Sequence, residues 1–299
     1  MAQLGRTFAI ITTCKGRLDH LRESLPRMVS QSANEVIVVD FSCPQGTSEF
    51  VASNFPSVRL VQVAGEDHFS NWRARNAGAS VACSETLLFL DADTILADGA
   101  IDWLSENLPD RAYGFFDRKT SQSFNRGGPR IAANQLKGLH VVPSAAFRRI
   151  GGYDEVLEGY AAGGDTDLEE RLSIAGLKRY VLDSRMVESV IEHDAASRTQ
   201  HHALPIRTSY CAGLIYRTAK FSLLRLRGQS ELPLQTRRNL YSAAMKAAQS
   251  LGSQTDRIGM NVVVNNEPVL MPRQLGYESA TNSLMLRVEV SLGDKLSEE

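Results

Sequence analysis

The chain has 299 residues, of which 43% are hydrophobic, so it can bury one large core or one core with a smaller appended unit. Its 33 Lys and Arg residues nearly balance its 34 Asp and Glu residues, and the net charge is close to -1. This balance gives no electrostatic reason to expect a polyanionic partner, so nucleic acid is not an expected ligand.

The first hundred residues alternate short β-rich runs with helical segments, which predicts a parallel sheet with crossover helices. Leu18, Leu21 and Leu25 recur at spacings of three and four, a pattern typical of a helix packed by one face. We predict strands at Phe8–Thr13, Val36–Asp40, Val58–Val63 and Thr86–Leu90, and helices at Leu18–Ser30, Thr47–Asn54 and Asn71–Ala82.

Polar residues close three of these predicted strands. Thr12 and Thr13 end the first strand, Asp40 ends the second, and Asp91 follows the fourth. Ligands of open α/β sheets gather at the carboxyl ends of the strands. We therefore expect these four side chains to converge on one crevice.

The pattern is less regular in the rest of the chain. Tyr113–Leu139 is polar and rich in glycine, which predicts a loop-rich excursion with one or two strands. A regular pattern returns at Gly138–Pro143. We predict a helix at Glu169–Ala175, followed by a strand at Arg179–Leu182 and another that ends near His193. Beyond these we predict helices at Ile206–Leu226 and Pro233–Leu251 and strands at Val262–Val264 and Leu284–Val290. We therefore predict one domain over residues 1–195 and a C-terminal extension of helices and strands over residues 196–299.

The cysteines and the N-terminal segment bear on the cellular compartment. Cys14, Cys43, Cys83 and Cys211 form neither a CxxC pair nor a dense disulfide pattern, which favours free thiols in a reducing compartment. The apolar run after Arg6 has about six residues, too few for a signal-peptide core or a membrane span. We expect a cytoplasmic protein without a transmembrane segment. Tyr216–Arg227 mixes apolar with basic residues, so a peripheral membrane contact stays open beside an ordinary solvated helix face.

The strongest local motif is Asp91-Ala92-Asp93, directly after the apolar run of the fourth predicted strand. Two carboxylates one residue apart at a strand end can serve both a hard divalent cation and the hydroxyls of a ribose. The same tripeptide is also common in solvated turns, and its position after a buried strand is what favours a nucleotide and metal site.

Seven segments together carry a family resemblance. They are Ile10–Arg17 (IITTCKGR), Val36–Asp40 (VIVVD), Ala74–Gly78 (ARNAG), Asp91–Asp93 (DAD), Gly151–Glu155 (GGYDE), Gly163–Leu168 (GGDTDL) and Ile191–Asp194 (IEHD). In their order and spacing the chain resembles the GT-A glycosyltransferases, especially glycosyltransferase family 2 and the galactosyltransferase and polypeptide GalNAc-transferase relatives. The resemblance implies a GT-A α/β fold, Rossmann-like with a mostly parallel sheet, plus a C-terminal α+β extension. It also implies a nucleotide-sugar half at about residues 1–100 and an acceptor and metal half at about residues 101–195.

The resemblance assigns the donor contacts residue by residue. The implied donor-binding residues are Thr12, Thr13, Arg17, Asp40, Arg73, Arg75, Asn76 and Asp91, with Asp40 facing the uracil imide and Asp91 the ribose. Where the family often has a second acidic residue after Asp40, this chain has Phe41, which leaves the base open beyond a preference for uridine. Arg73 and Arg75 also fit an ordinary surface helix.

The metal site follows from the same resemblance. Asp93 and His193 are the implied protein ligands of Mn²⁺ or Mg²⁺, both of which keep coordination positions for diphosphate oxygens. A lone histidine is more often an ordinary surface or core residue, and only its place in the motif order favours a ligand. We interpret His201 and His202 as loop residues near a donor lid.

Asp165 is the predicted catalytic base. An inverting transfer needs one carboxylate to take the proton of the acceptor hydroxyl. Many relatives carry Glu-Asp where this chain has Gly164-Asp165, and Asp167 is the rival, with the alternative role of an acid favouring a helix N-terminus. Tyr153, Asp154 and Glu155 are candidate acceptor contacts.

The sequence thus predicts a metal-dependent inverting glycosyltransferase that moves a sugar from a nucleotide-diphosphate sugar, with UDP-sugar preferred, to a hydroxyl of a glycan or glycoconjugate. A nucleotidyltransferase that makes a sugar nucleotide would share the sheet and the acidic site, but it usually opens with a Gly-rich phosphate loop, and Thr12–Arg17 has a single glycine. A non-catalytic domain that binds a sugar nucleotide or glycan stays open because of Gly164.

Overall fold

A mixed β-sheet organises the N-terminal part of the chain. The computed structural model describes residues 6–116, 136–192, 194–251, 257–265 and 283–291. The strands of the part from residue 6 to residue 203 are β1 Phe8–Cys14, β2 Glu35–Phe41, β3 Arg59–Val63, β4 Thr86–Asp91, β5 Thr94–Leu96, β6 Ala112–Phe115, β7 His140–Pro143, β8 Lys178–Val181 and β9 Val187–Val190. Seven of these described strands form one sheet in the order β3-β2-β1-β4-β7-β6-β8, while β5 pairs with β9.

Most strand pairs of the sheet are parallel. The pairs β2–β3, β1–β2, β1–β4 and β6–β8 are parallel, and β7 runs antiparallel to β4 and β6. All seven residues of β1 are buried, in keeping with a central strand covered on both faces. The predicted mostly parallel α/β sheet with crossover helices is confirmed.

Seven described helices accompany this sheet. They are α1 Leu18–Val29, α2 Thr47–Asn54, α3 Asn71–Val81, α4 Ala100–Asn107, α5 Ser144–Arg149, α6 Gly164–Ile174 and α7 Ala195–Thr199. The first three agree with the prediction to within a residue. The predicted start of the sixth at Glu169 was wrong, because the helix begins at Gly164 with Asp165 and Asp167 in its first turn, where acids favour the helix dipole. The short elements β5, α4 and α5 were not predicted.

The chain divides into two compact units. One comprises the residues up to Glu155 with Gly164–Ala203, and the other comprises Val156–Gly163 with Leu204 onwards. The second unit contains helices α8 Ile206–Arg227 and α9 Leu234–Gln249 and the antiparallel strands β10 Arg257–Asn265 and β11 Ser283–Ser291. Its segment 156–163 is fixed within the unit by Tyr241, whose hydroxyl accepts from Glu158 N at 3.0 Å and donates to Glu158 O at 3.3 Å. The helices and strands predicted in the C-terminal extension are therefore present.

The loop-rich excursion predicted at Tyr113–Leu139 lies mostly outside the described residues, which resume at Leu136. Its first residues belong to β6. No helix among the described residues is long and apolar enough to cross a membrane.

Close packing of α3 against the sheet depends on Gly78. A Cβ at this position would lie 2.6 Å from Ile11 Cγ2 and 3.0 Å from Val39 Cγ2. Interiors packed this tightly do not accept an added methyl group without displacement. Gly78 therefore sets the distance between α3 and strands β1 and β2.

We predict that Gly78→Ala lowers the free energy of unfolding by about 1–3 kcal/mol through overpacking. This loss outweighs the gain of about 1 kcal/mol in helix propensity that alanine brings. Urea unfolding followed by circular dichroism measures the change. Ser80→Ala, on the exposed side of the same helix, is the control and should shift stability by no more than about 0.5 kcal/mol. A stabilised Gly78→Ala chain would contradict the close contact.

Candidate functional site

The carboxyl ends of β1, β2 and β4 bring the predicted polar residues to one edge of the sheet. The strand register pairs Thr13 with Asp91 and Cys14 with Asp40. Thr12 lies beside them, fully buried, and its hydroxyl has no hydrogen-bond partner among the described residues. Thr13 donates to Asn71 Oδ1 at 3.1 Å. A buried hydroxyl left without a partner at a sheet edge of this kind is a feature that a bound ligand would satisfy.

Asp40 holds the loop that follows β2. One carboxylate oxygen accepts from Cys43 N at 2.8 Å, and the other accepts from Ser48 N at 2.9 Å and from the Ser48 hydroxyl. Each carboxylate oxygen can accept two hydrogen bonds, so Asp40 retains capacity for one further donor. Its orientation is therefore fixed by the protein before any ligand arrives.

Lys15 ties the ends of three strands together, a role that the sequence did not reveal. Its buried ammonium group donates to the carbonyls of Phe41 at 3.4 Å, Ser42 at 3.0 Å and Glu66 at 2.7 Å. A buried ammonium needs such partners to offset its lost hydration. Lys15 thereby holds the chain after β1 against the chain that follows β2 and β3.

The centre of the candidate site is the guanidinium group of Arg75. This side chain is 0% exposed, and its terminal nitrogens contact Asp91 Oδ1 at 2.7 Å, the Tyr153 hydroxyl at 2.9 Å and Asp165 Oδ1 at 3.3 Å. The two carboxylates stay partly exposed, 38% for Asp91 and 24% for Asp165. One buried cation thus brings together the motif after β4 and the first turn of α6.

The pKa shifts in this cluster reflect burial and crowded charge. Burial alone would lower the pKa of Arg75, but Tyr153, Asp91 and Asp165 raise it, so the guanidinium stays protonated. Burial raises the pKa of Asp91; the Arg75 guanidinium opposes this, while Asp93 and Asp165 add to it. Asp91 and Asp165 thus share one arginine, and the nearby carboxylate of Asp93 adds negative charge beside Asp91, which favours a bound cation.

Asp165 and Asp167 have different surroundings, although both lie in the first turn of α6. Asp167 is fully buried and accepts from Arg171 Nε at 2.7 Å, within a pair in which both side chains are 0% exposed. Asp165 is partly exposed and lies 3.6 Å from Nδ1 of the buried His140. The other nitrogen of His140 lies 3.4 Å from Glu169 Oε1. Asp165 is thus the carboxylate that an external molecule can reach.

Gly164 has a physical explanation in Trp72. A Cβ at Gly164 would lie 2.5 Å from the indole, which is buried and stacks on Tyr153 with 5.5 Å between ring centroids. A glutamate could not occupy position 164 while Trp72 keeps this place. Trp72 therefore fills the space that a side chain at position 164 would need.

The remaining donor candidates of α3 lie on its outer side. Arg73 is 44% exposed and pairs with Glu66 through both terminal nitrogens, at 2.5 and 2.8 Å. Asn76 accepts from Tyr153 N at 2.9 Å and donates to Tyr153 O at 3.0 Å, which fixes the turn of the GGYDE motif. Both residues line a groove of about 540 Å³ that also includes Phe41, Phe147 and Glu155. Arg75, by contrast, faces the sheet.

Arg17 and the two histidines lie near the start of α1. Arg17 is half-buried and precedes α1, whose first turn begins with Leu21 N donating to Arg17 O at 3.0 Å. The imidazole of His201 occupies the space that a Cβ of Gly16 would need, and Phe69 N donates to His201 O at 2.6 Å. His201 and His202 lie in a turn after α7, as expected for loop residues, and their place near a donor lid stays a prediction.

Of the two implied metal ligands, only Asp93 lies among the described residues. Asp93 is half-buried beside β9, where its carbonyl accepts from Ile191 N at 2.8 Å, and His193 lies outside the described residues. Within the described ranges no group of three or more His, Cys, Asp or Glu side chains could hold a metal ion. Magnesium-like ions are often held by one or two carboxylates together with substrate phosphates. The hard oxygen donors of Asp91 and Asp93 fit that chemistry.

Several site residues escaped prediction. Trp72, His140 and Glu169 contact the candidate residues or one another and lie in none of the seven segments, whereas Lys15 lies in the first segment but was given no role. His140 does leave a signal, because it is a polar residue in the otherwise apolar run of β7. The others depend on contacts between distant segments.

Comparison with known proteins confirms the fold. No protein-family model matches the chain, and no curated protein matches it. The structure is similar to the mannosyltransferase PcManGT from Pyrobaculum calidifontis in complex with GDP-Man and Mn²⁺, with a TM-score of 0.53 and 16% identity over 84% of this chain and 77% of that chain. It also matches S. aureus TarS 1–349, with a TM-score of 0.49 and 16% identity over 81% and 80% of the two chains. The similarity to the mannosyltransferase confirms the expected GT-A fold.

We predict that Arg75→Gln lowers the free energy of unfolding by about 3–5 kcal/mol, because it removes the buried charge that pairs with two carboxylates. Arg73→Gln, two residues away, removes an exposed pair and should cost at most about 1 kcal/mol. Urea unfolding of both variants measures the difference. Equal losses would contradict a central role of the buried guanidinium.

Proposed function

We propose that the protein is a glycosyltransferase that moves a sugar from a nucleotide-diphosphate sugar to an acceptor hydroxyl. The observation that carries this proposal is the pair of partly exposed carboxylates, Asp91 and Asp165, both held by the buried guanidinium of Arg75 at the carboxyl edge of a GT-A sheet. The mannosyltransferase PcManGT, which has a similar structure, is described with GDP-Man and Mn²⁺, which supports a donor of this class.

The donor base and ribose are assigned to the edge formed by β1, β2 and β4. Thr12, Thr13, Arg17 and Asp40 bind the base and the phosphate side, and Asp91 binds the ribose. Asp40 is preoriented by its loop and retains an acceptor position for an imide N–H, which supports a uridine donor. Arg73 and Asn76 line the groove along the outer side of α3. Arg75 acts indirectly, by holding Asp91 in place.

Asp93, together with His193, would hold Mn²⁺ or Mg²⁺. When bound, the cation offsets the charge that develops on the leaving diphosphate. Asp93 supplies a hard carboxylate beside Asp91, and the crowding of Asp91, Asp93 and Asp165 supports a cation at this position. The residues present therefore fit a divalent ion of this kind.

Asp165 is proposed as the general base of an inverting transfer. It takes the proton from the acceptor hydroxyl, and the acceptor oxygen then attacks the anomeric carbon from the side opposite the diphosphate. Asp167 does not compete for this role, because its carboxylate is buried against Arg171. We assign the acceptor as a hydroxyl of a glycan or glycoconjugate.

One observation favours a second candidate, a domain that binds the sugar nucleotide without transferring the sugar. Asp165 Oδ1 lies 3.3 Å from the buried Arg75 guanidinium, so the carboxylate proposed as the base already holds an ion-pair partner. In that case the protein would bind the donor but transfer no sugar, with or without the Asp165 carboxylate. Activity measurements separate the two candidates.

We predict that a uridine nucleotide binds the protein in the presence of Mn²⁺. Isothermal titration calorimetry against UDP, GDP, dTDP and CMP measures binding with and without Mn²⁺. Removal of the metal, or Asp93→Asn, should weaken binding at least about tenfold, equivalent to about 1.4 kcal/mol. Asp98→Asn, at an aspartate 81% exposed, is the matched control and should leave binding unchanged. No binding across the panel would contradict the proposal.

We predict that Asp165→Asn lowers turnover about 10²- to 10⁴-fold, because the amide cannot accept the proton of the acceptor hydroxyl. The nucleotide Kd should stay within about twofold, since the side chain keeps its shape. Sugar release from the donor and transfer to an acceptor panel measure the first value, and calorimetry measures the second. Equal losses of binding and turnover would contradict the role of Asp165 as base.

A further inference from the structure

Two cysteines that are 29 residues apart in the sequence meet at the donor edge of the sheet. Cys14 ends β1 and is buried, and Cys43 lies half-buried in the loop between β2 and α2. Their Sγ atoms are 4.0 Å apart. A disulfide needs an S–S distance of about 2.05 Å, so an approach of about 2 Å by the loop cysteine would close the bond.

The two thiols have unlike surroundings. Cys43 Sγ accepts from Gly16 N at 3.2 Å and contacts Cys14, while Cys14 Sγ accepts from the Thr47 hydroxyl at 3.2 Å. The hydrogen bond from Cys14 is the main cause that lowers the pKa of Cys43 to about 5, although burial opposes it. The same hydrogen bond and burial raise the pKa of Cys14. Cys43 is therefore the thiolate of the pair, and Cys14 keeps its proton.

We propose that Cys14 and Cys43 form a redox-active dithiol that closes to a disulfide in exchange with a low-molecular-weight disulfide such as oxidised glutathione. The Cys43 thiolate attacks one sulfur of the small disulfide, forms a mixed disulfide and releases one thiolate. Cys14 then attacks Cys43 Sγ, and the second small thiol leaves with the proton of Cys14. The two protein thiols are oxidised, and the small disulfide is reduced to two thiols.

The geometry supports the second step. The hydrogen bond to the Cys43 thiolate is the first cause of the raised pKa of Cys14, and it disappears when Cys43 becomes part of the mixed disulfide. Cys14 then lies next to the sulfur that it must attack. The exposed Cys83 has no such neighbour, since its Sγ contacts only the Val81 carbonyl at 3.8 Å among the described residues. It serves as the control thiol.

Closure of the disulfide would alter the donor edge. Cys43 N donates to Asp40 Oδ1 at 2.8 Å, and Cys43 Sγ accepts from Gly16 N. A shift of Cys43 towards Cys14 disturbs both contacts and with them the orientation of Asp40. A lower nucleotide affinity of the oxidised form follows, and this consequence rests on the proposed function.

The test uses the full chain with Cys83→Ser, so that the exposed thiol does not react. The reduced chain is exposed to oxidised glutathione, denatured and alkylated, and its mass and peptides are measured. Three alkyl labels should fall to one, because only Cys211 stays free, and the peptides of Cys14 and Cys43 should be joined. Cys14→Ala in the same background should retain glutathione on Cys43. The proposal would be overturned if Cys43 kept a bound glutathione although Cys14 is present. It would also be overturned if Cys14 and Cys43 were both alkylated after exposure to oxidised glutathione.

A second test uses the chain without cysteine substitutions, so its result does not depend on whether a variant folds. The rate of Cys43 alkylation by iodoacetamide is followed from pH 4 to pH 9 by peptide mass spectrometry. It should reach half its maximum at about pH 5, whereas a simple cysteine peptide titrates at about 8.5. A Cys43 profile that matches the simple peptide would count against the thiolate and overturn the assigned attack.

Nucleotide binding separates this proposal from the proposed function. Calorimetry with UDP and Mn²⁺ compares reduced, oxidised and re-reduced protein, and the oxidised form should bind at least about threefold more weakly until dithiothreitol restores it. An unchanged Kd after complete disulfide formation would overturn the effect on the donor edge. Absence of UDP binding in all three forms would contradict the uridine donor, while the labelling result would still decide whether the dithiol exists.

Discussion

The buried guanidinium of Arg75 is the constraint on which the rest of the site depends. A cation that is 0% exposed is tolerated only with charged and hydrogen-bonding partners around it. Its partners Asp91, Tyr153 and Asp165 come from three segments that are distant in the sequence. The folding of α3 onto the sheet therefore also determines the distance between the two carboxylates of the proposed reaction. Arg75 therefore contributes both to the stability of the fold and to the geometry of the site, so a substitution at this residue changes both.

Small residues make this arrangement sterically possible. Gly78 lets α3 approach β1 and β2, and a Cβ at Gly138 would overlap Asp91 Oδ2 and crowd Arg75. Gly164 lets the first turn of α6 lie against Trp72. Each glycine serves close approach of backbone to a neighbouring side chain, and in a tightly packed interior no other residue supplies that space. The unusual Gly164 is thus part of the packing that positions Asp165.

Sequence patterns predicted the sheet, its crossover helices and the edge where the carboxylates meet, because strand periodicity and motif order are local properties. They did not predict α4 and α5, which are too short to show a clear helical period. The burial of Arg75 was also not predicted, since the sequence favoured a nucleotide contact, with an exposed surface helix as the alternative, and neither places the guanidinium in the interior. The contacts of His140 with Asp165 and of Cys14 with Cys43 depend on tertiary pairing of distant segments, which no spacing in the sequence encodes.

The two sides of the candidate site differ in how their charges are balanced. On the proposed base-binding side, the Lys15 ammonium is satisfied by three carbonyls, and both oxygens of Asp40 are already hydrogen-bonded, so that surface is preorganised. On the proposed catalytic side, Asp91 and Asp165 both pair with Arg75, and the charges of Asp93 and Asp165 add to the raised pKa of Asp91. A diphosphate arriving alone would add negative charge beside these carboxylates. Under the proposed function, donor and divalent cation must therefore bind with positive coupling, because each relieves the charge that opposes the other.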